Sequence, residues 1–146
     1  MEVKNPANGA VLARVACSGE ADVNVAVAKA KEAFASWSTL TLKARTAKAF
    51  KMHALIEQNA DKLAKCIVAE NGKTYVEALA SVSKANETWE WACSLPALAS
   101  GRVQEVSRGF RCEDTREPVG VVRCTIQARG AWLEFKFLGA QLTPLL

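Results

Sequence analysis

The sequence predicts a mixed α/β chain in which a hairpin and four helices precede an extended ribbon and a final valine-rich strand. Three observations carry this reading. Turn-forming dipeptides sit inside the first ten residues, followed by apolar alternation. Apolar residues then recur at helical spacing from position 23 to 93. After Gly101 that period is lost, and charged, β-favouring segments take over. A chain of 146 residues is long enough for one domain with one sizeable core.

The opening VKNPANGAVLARV holds Asn5-Pro6 and Asn8-Gly9, then alternates at Val11, Ala13 and Val15, which predicts the hairpin. Ser18 is placed to cap a first helix, with Glu20 and Asp22 in its first turn, where the helix dipole favours negative charge. Its stripe is Val23, Ala26, Val27, Ala30, Ala33, Phe34 and Trp37. A second helix is predicted over roughly 42–57, with Ala49, Met52 and Ile56 on one face. Asn59 is placed to cap a third, whose Ala60, Leu63, Ala64 and Ile67 repeat at i, i+3, i+4 and i+7. Gly72 ends it, because glycine adopts the left-handed conformation freely. Thr74 and Glu77 then form a capping box, each side chain reaching the other's backbone amide. The fourth helix, over 75–93, carries Tyr75, Ala78, Leu79, Val82, Ala85, Trp89, Ala92 and Cys93 on one stripe, and Pro96 ends or kinks it. Beyond Gly101, RVQEV, the turn SRG and FRCEDTRE predict a two-stranded ribbon with exposed charged faces, and VGVVRCTI predicts the last strand. Residues 102–126 are therefore expected to be extended.

Composition narrows the function classes. Half the residues are hydrophobic, 23% are charged and the net charge is +4, without a block of like charge, so neither nucleic acid nor an anionic membrane is an expected partner. No apolar run reaches the roughly 18 residues of a spanning helix, and the first residues lack the apolar core of a secretory signal. These features predict an intracellular protein, cytoplasmic or mitochondrial. Five widely spaced cysteines argue against a disulfide framework, and a single histidine leaves little material for a metal site.

The segments NPANGAVLARV, ADVNVAVAKAKEAFASW, LIEQNADKLAKCIVAENGKTYVEAL and TREPVGVV, in this order, resemble the N-terminal part of the aldehyde dehydrogenase superfamily. TLKAR, NADKLA, ENGKTYVEAL and ACSLPALASG look most like its methylmalonate-semialdehyde dehydrogenase branch. The resemblance divides the chain into a family-like segment, 1–126, and a divergent tail, 127–146. It implies a three-part fold: a Rossmann-like cofactor domain, a catalytic domain and a small subunit-association sheet. The ribbon at 102–117 would belong to that sheet, and the valine-rich strand would be the first of the cofactor domain.

The same resemblance implies an NAD-dependent oxidation. A cysteine thiolate attacks the aldehyde, hydride passes to the nicotinamide, and water or coenzyme A resolves the thioacyl-enzyme. In the family a Pro-aromatic-Asn segment follows the valine-rich strand, and its asparagine donates to the oxyanion. That asparagine should fall near position 129, where this chain has Arg129 after an IQA segment without proline or aromatic. The family's Lys-Pro-Ser-Glu segment has only a faint, differently spaced echo in Lys136 and Thr143-Pro144-Leu145. The glycine-rich cofactor turn, catalytic glutamate and nucleophilic cysteine have no matching positions among the 146 residues.

No catalytic, cofactor-binding or metal-binding residue is therefore assigned. Cys66 and Cys93 read as buried small hydrophobes in helices, whereas Cys112 and Cys124 lie on extended segments with no histidine or helix N-terminus beside them. His53 reads as a packed or rim histidine on the second helix. Glu70, Glu77, Glu87 and Glu90 read as solvated helix faces, and Arg129 as part of an out-of-register tail. Trp37, Trp89 and Trp132 are expected in the core, Trp91 at an exposed seam, with uncovered apolar surface around Trp89 and Trp132. Two functions follow: a segment of a semialdehyde dehydrogenase inactive by itself, or a non-catalytic module. The expected partner is a second copy or a full-length relative.

Overall fold

The computed structural model describes residues 1–122. The elements in chain order are β1 (Glu2–Lys4), β2 (Val11–Arg14), α1 (Glu20–Trp37), α2 (Leu42–Gln58), α3 (Ala60–Asn71), α4 (Tyr75–Cys93), α5 (Leu95–Leu98), β3 (Arg102–Ser107) and β4 (Phe110–Asp114). The predicted hairpin, four long helices and ribbon are all present, and α5 is an added turn carrying Pro96 at its start.

β1 and β2 pair antiparallel, Glu2 opposite Arg14 and Val3 opposite Ala13. Their turn is held by its own side chains: Asn5 Oδ1 accepts the Ala7 amide at 2.8 Å, and Asn8 Oδ1 accepts the Ala10 amide at 3.0 Å. β3 and β4 pair antiparallel from Arg102–Asp114 to Ser107–Phe110, and all of their residues are exposed. The ribbon begins where β4 passes over Gly101: a Cβ there would collide with the Asp114 carbonyl oxygen, so only glycine fits that approach.

The core lies between α2, α3 and α4, with α5 closing one end. Ala49 and Ile56 of α2, Ala64 and Ile67 of α3, Ala78, Val82, Trp89 and Ala92 of α4, and Leu95 form one buried cluster, and Ala85 of α4 is also buried. Trp37, Leu42, Leu63 and Val68 pack partly buried against it. Gly72 ends α3 with φ of 68°, as its sequence position predicts. A side chain there would also press on Pro6, since its Cβ would lie 3.0 Å from Pro6 Cγ. The Thr74–Glu77 box starts α4: Glu77 N–H donates to Thr74 Oγ1 at 3.4 Å, and Thr74 N–H donates to Glu77 Oε2 at 3.3 Å.

Several expectations are corrected. Gly19, not Ser18, is the N-cap of α1, and its amide donates to the Asp22 carboxylate at 2.9 Å. The α1 stripe holds no buried residue; only Val27, Ala30, Phe34 and Trp37 are half-buried, because α1 lies outside the three-helix core. On α2, Met52 is exposed, and Thr46, one turn before Ala49, and His53, between Ala49 and Ile56, take places on the inward face. Asn59 stands at the N-cap of α3 without capping it, since its side-chain amide donates backwards to the Leu55 carbonyl at 2.8 Å. On α4, Tyr75 and Leu79 are exposed, so the inward face is the narrower set Ala78, Val82, Ala85, Trp89 and Ala92. Val119, Val121 and Val122 lie in no strand and are exposed, because neither described pair of strands continues to them. The rest of the predicted last strand and the tail, with Cys124, Arg129 and Trp132, lies outside the described residues.

Ile67 is only 2% exposed at the centre of this cluster. Ile67→Ala should lower unfolding free energy by about 2–5 kcal/mol, read as a drop in the urea midpoint with little change in slope. An unchanged midpoint would show that α3 does not pack as described.

Candidate functional site

Two polar constellations stand out on the helical half. The first lies where α2 and α4 meet. His53 projects from the inward face of α2, its side chain 24% exposed. Asn86 of α4 presents its amide nitrogen to His53 Nδ1 at 3.0 Å, and Glu90, one turn on, places Oε1 3.5 Å from His53 Nε2. They line a groove of about 260 Å³ with an apolar floor of Ile56, Ala60, Leu79 and Val82, and with Glu57 and Glu87 at its edge. Glu87 is already paired with Lys84 at 2.7 Å.

The second constellation joins α3 to the start of α4. Tyr75 donates its hydroxyl to Asp61 Oδ1 at 2.8 Å, and Lys65 Nζ lies 2.7 Å from Asp61 Oδ2. The Lys65 ammonium first, and then the Tyr75 hydroxyl, hold the Asp61 carboxyl below its ordinary range. Asp61 in turn raises both Lys65 and Tyr75 above theirs. A neighbouring groove of about 400 Å³ runs past Lys65, Lys73 and Tyr75 to Asn5 and Ala7 of the hairpin turn.

Neither constellation supplies an activated nucleophile. Cys93 is half-buried, and burial first, then the Glu90 carboxylate, pushes its thiol up, away from the thiolate. Cys66 is exposed rather than buried, because it points off the α3 stripe that Ala64 and Ile67 turn inward. Cys17 and Cys112 are exposed, and no group of His, Cys, Asp and Glu among the described residues could hold a metal ion.

His53 is the packed rim histidine expected, but sequence reasoning missed its pairing with Asn86 and Glu90, and so Glu90 is more than a solvated face. The i, i+4 spacing of Asn86 and Glu90 was the available signal. Glu77 serves the capping box, and the Thr74 hydroxyl and amide lower its carboxyl below the usual range. Trp89, 7% exposed, lies in the core as expected, and Trp91, at 66%, is the exposed one.

The aldehyde dehydrogenase family model matches residues 1–126. The chain belongs to the aldehyde dehydrogenase family. Malonate-semialdehyde dehydrogenase 1 of Geobacillus kaustophilus is 40% identical over 123 residues, which is 84% of this chain and 25% of the relative. Malonate-semialdehyde dehydrogenase 2 of Bacillus cereus is 40% identical over 121 residues, again 25% of its length. Among solved structures, a protein of Sinorhizobium meliloti assigned as a methylmalonate-semialdehyde dehydrogenase, complexed with NAD, superposes with a TM-score of 0.90 at 25% identity, covering 99% of this chain and 30% of that one. The chain thus spans about a quarter of the length of the curated relatives it matches.

A dinucleotide does not fit the described residues of this aldehyde dehydrogenase chain. Pyrophosphate is held where a strand feeds a helix N-terminus through a glycine-rich turn. Among the described residues the one strand-to-helix passage is from β2 to α1, and α1 opens with Glu20 and Asp22. Asp22 already takes the Gly19 amide that a phosphate would need. Among the described residues, no helix is long and apolar enough to cross a membrane.

Tyr75 is the single tyrosine of the chain, so its phenolate absorbance reports one group. Its titration should run above that of a free tyrosine, and Asp61→Asn should bring it down. The sign for stability follows from linkage. The raised Tyr75 and Lys65 contribute stability that is present below their unfolded values and lost as pH rises through the folded ones. The lowered Asp61 contributes stability present above its unfolded value and lost as pH falls through the folded one. The α3–α4 clamp therefore acts between the carboxylate range and the alkaline range. Identical Tyr75 titrations in the parent and in Asp61→Asn would refute it.

Proposed function

We propose that this chain is the N-terminal part of an NAD-dependent dehydrogenase acting on malonate or methylmalonate semialdehyde, with coenzyme A as acyl acceptor, and that these 146 residues alone do not turn over substrate. The observation that carries the reading is the 40% identity to malonate-semialdehyde dehydrogenases across 123 residues. Aldehyde oxidation by the family route needs an activated thiolate, an oxyanion donor, a general base and a held nicotinamide. The half-buried Cys93, with its thiol pushed up, is a poor nucleophile, and Arg129 stands where the resemblance puts the donor asparagine. Losing one oxyanion donor alone lowers rate by about a hundredfold or more. The role of these residues is scaffolding, and NAD and coenzyme A would be held by other parts of such an enzyme.

The exposed ribbon supports the second half of the proposal, association with another copy or with a full-length relative. Among the described residues β3 and β4 pair with no other strand, and they show Val103, Val106 and Phe110 to solvent at 56%, 55% and 69% exposure. A non-catalytic module working through the same ribbon is the rival reading.

The purified chain, assayed for NADH formation with malonate or methylmalonate semialdehyde and NAD, with and without coenzyme A, should give no rate above background. Turnover that copurifies with the chain and is lost in Cys112→Ala or Cys93→Ala would overturn the proposal. Light scattering should show a dimer or larger species that Phe110→Lys dissociates; a monomer at all concentrations would remove the ribbon's role.

A further inference from the structure

The contact between His53, Asn86 and Glu90 contains a mismatch that the scaffold role does not use. An amide nitrogen only donates, so Asn86 Nδ2, 3.0 Å from His53 Nδ1, requires that Nδ1 be the bare acceptor. The ring proton then sits on Nε2 and faces Glu90 Oε1 at 3.5 Å. The same orientation leaves Asn86 Oδ1 buried with no hydrogen-bond partner. A buried carbonyl without a donor is unfavourable, and here a stronger donor is one protonation away.

We propose that His53 and Asn86 form a proton-linked two-position contact between α2 and α4. Uptake of a proton from solvent by the Nδ1 lone pair, through the open groove, sets an N–H against the amide N–H of Asn86. Half a turn of the amide about Cβ–Cγ exchanges its oxygen and nitrogen, and Oδ1 then accepts from Nδ1–H. The ring becomes an imidazolium with both nitrogens donating to α4, one to the Asn86 carbonyl and one to the Glu90 carboxylate. The bond to Asn86 becomes charge-assisted, and so stronger than the neutral contact it replaces, while the contact to Glu90 becomes an ion pair. The groups around the ring suit a cation. Glu57 of α2 and Glu87 and Glu90 of α4 line the groove, Glu87 being paired with Lys84, while Ala60 is α3's uncharged contribution. The short α5, Leu-Pro-Ala-Leu, which also packs on α2, brings no charge.

The test is a pH titration of the 146-residue chain by nitrogen-detected NMR. His53 is the single histidine, so its ring resonances need no assignment by mutation. Above the ring's own midpoint the expected tautomer is Nε2–H with a bare Nδ1. As the ring titrates, the Asn86 side-chain amide resonances should shift with the same midpoint, and His53→Gln should abolish that shift. An Nδ1–H tautomer above the midpoint, or an Asn86 amide unmoved while the ring titrates, would overturn the proposal. Both of these readings come from the parent chain, so they stand whether or not the variant folds.

Discussion

Helix α4 lies against both α2 and α3, and the residues it turns to them are mostly small: Ala78, Val82, Ala85 and Ala92, with Trp89 as the single large member. Small side chains let helix backbones approach closely, and the gain comes from dense contact rather than from large buried area. Ala64 of α3 and Ala49 of α2 answer with small residues of their own, and Ile56 and Ile67 fill the space left between. Trp37 at the end of α1 and Leu95 at the start of α5 reach the same cluster from its ends.

Polar groups then fix the register of helices that the apolar seam brings together. The Thr74–Glu77 box sets where α4 begins, and Gly72 ends α3 two residues earlier. Tyr75, on the first turn of α4, reaches Asp61 on the first turn of α3. Farther along α4, Asn86 and Glu90 meet His53 on α2. Each contact joins α4 to one neighbour, so the central helix is held at both ends by hydrogen bonds and along its middle by packing. The exposed contacts, such as Tyr75 with Asp61, add little to stability individually but specify alignment.

α1 buries no residue, and both strands of the ribbon are exposed throughout. A chain that spans a quarter of its relatives' length would show such faces if the family fold covers them with elements beyond this segment. Family membership and lack of a dinucleotide site in the described residues are then consistent, because in open α/β folds the cofactor binds at strand ends, and no parallel sheet is formed among residues 1–122.

The sequence by itself determined the hairpin, the four long helices and the start of the ribbon in their order, and the family, but not the short α5 or the end of β4 at Asp114. These rest on local chemistry: a left-handed glycine at Gly72, a reciprocal cap at Thr74 and Glu77, turn formers at Asn5-Pro6 and Asn8-Gly9. What only the tertiary structure decided was which members of each apolar stripe are inside. Periodicity marks a broad face, but a helix buries just the arc its neighbours cover, so Met52, Leu79 and Tyr75 stay exposed while Thr46 and His53 turn inward. The stripe of α1 is as regular as that of α4, yet it lies outside the three-helix core and remains uncovered. The polar pairs followed the same rule. His53 with Asn86 is separated by 33 residues and Asp61 with Tyr75 by 14; spacing along α4 puts Asn86 and Glu90 on one face, but which residue they meet depends on how one helix crosses another.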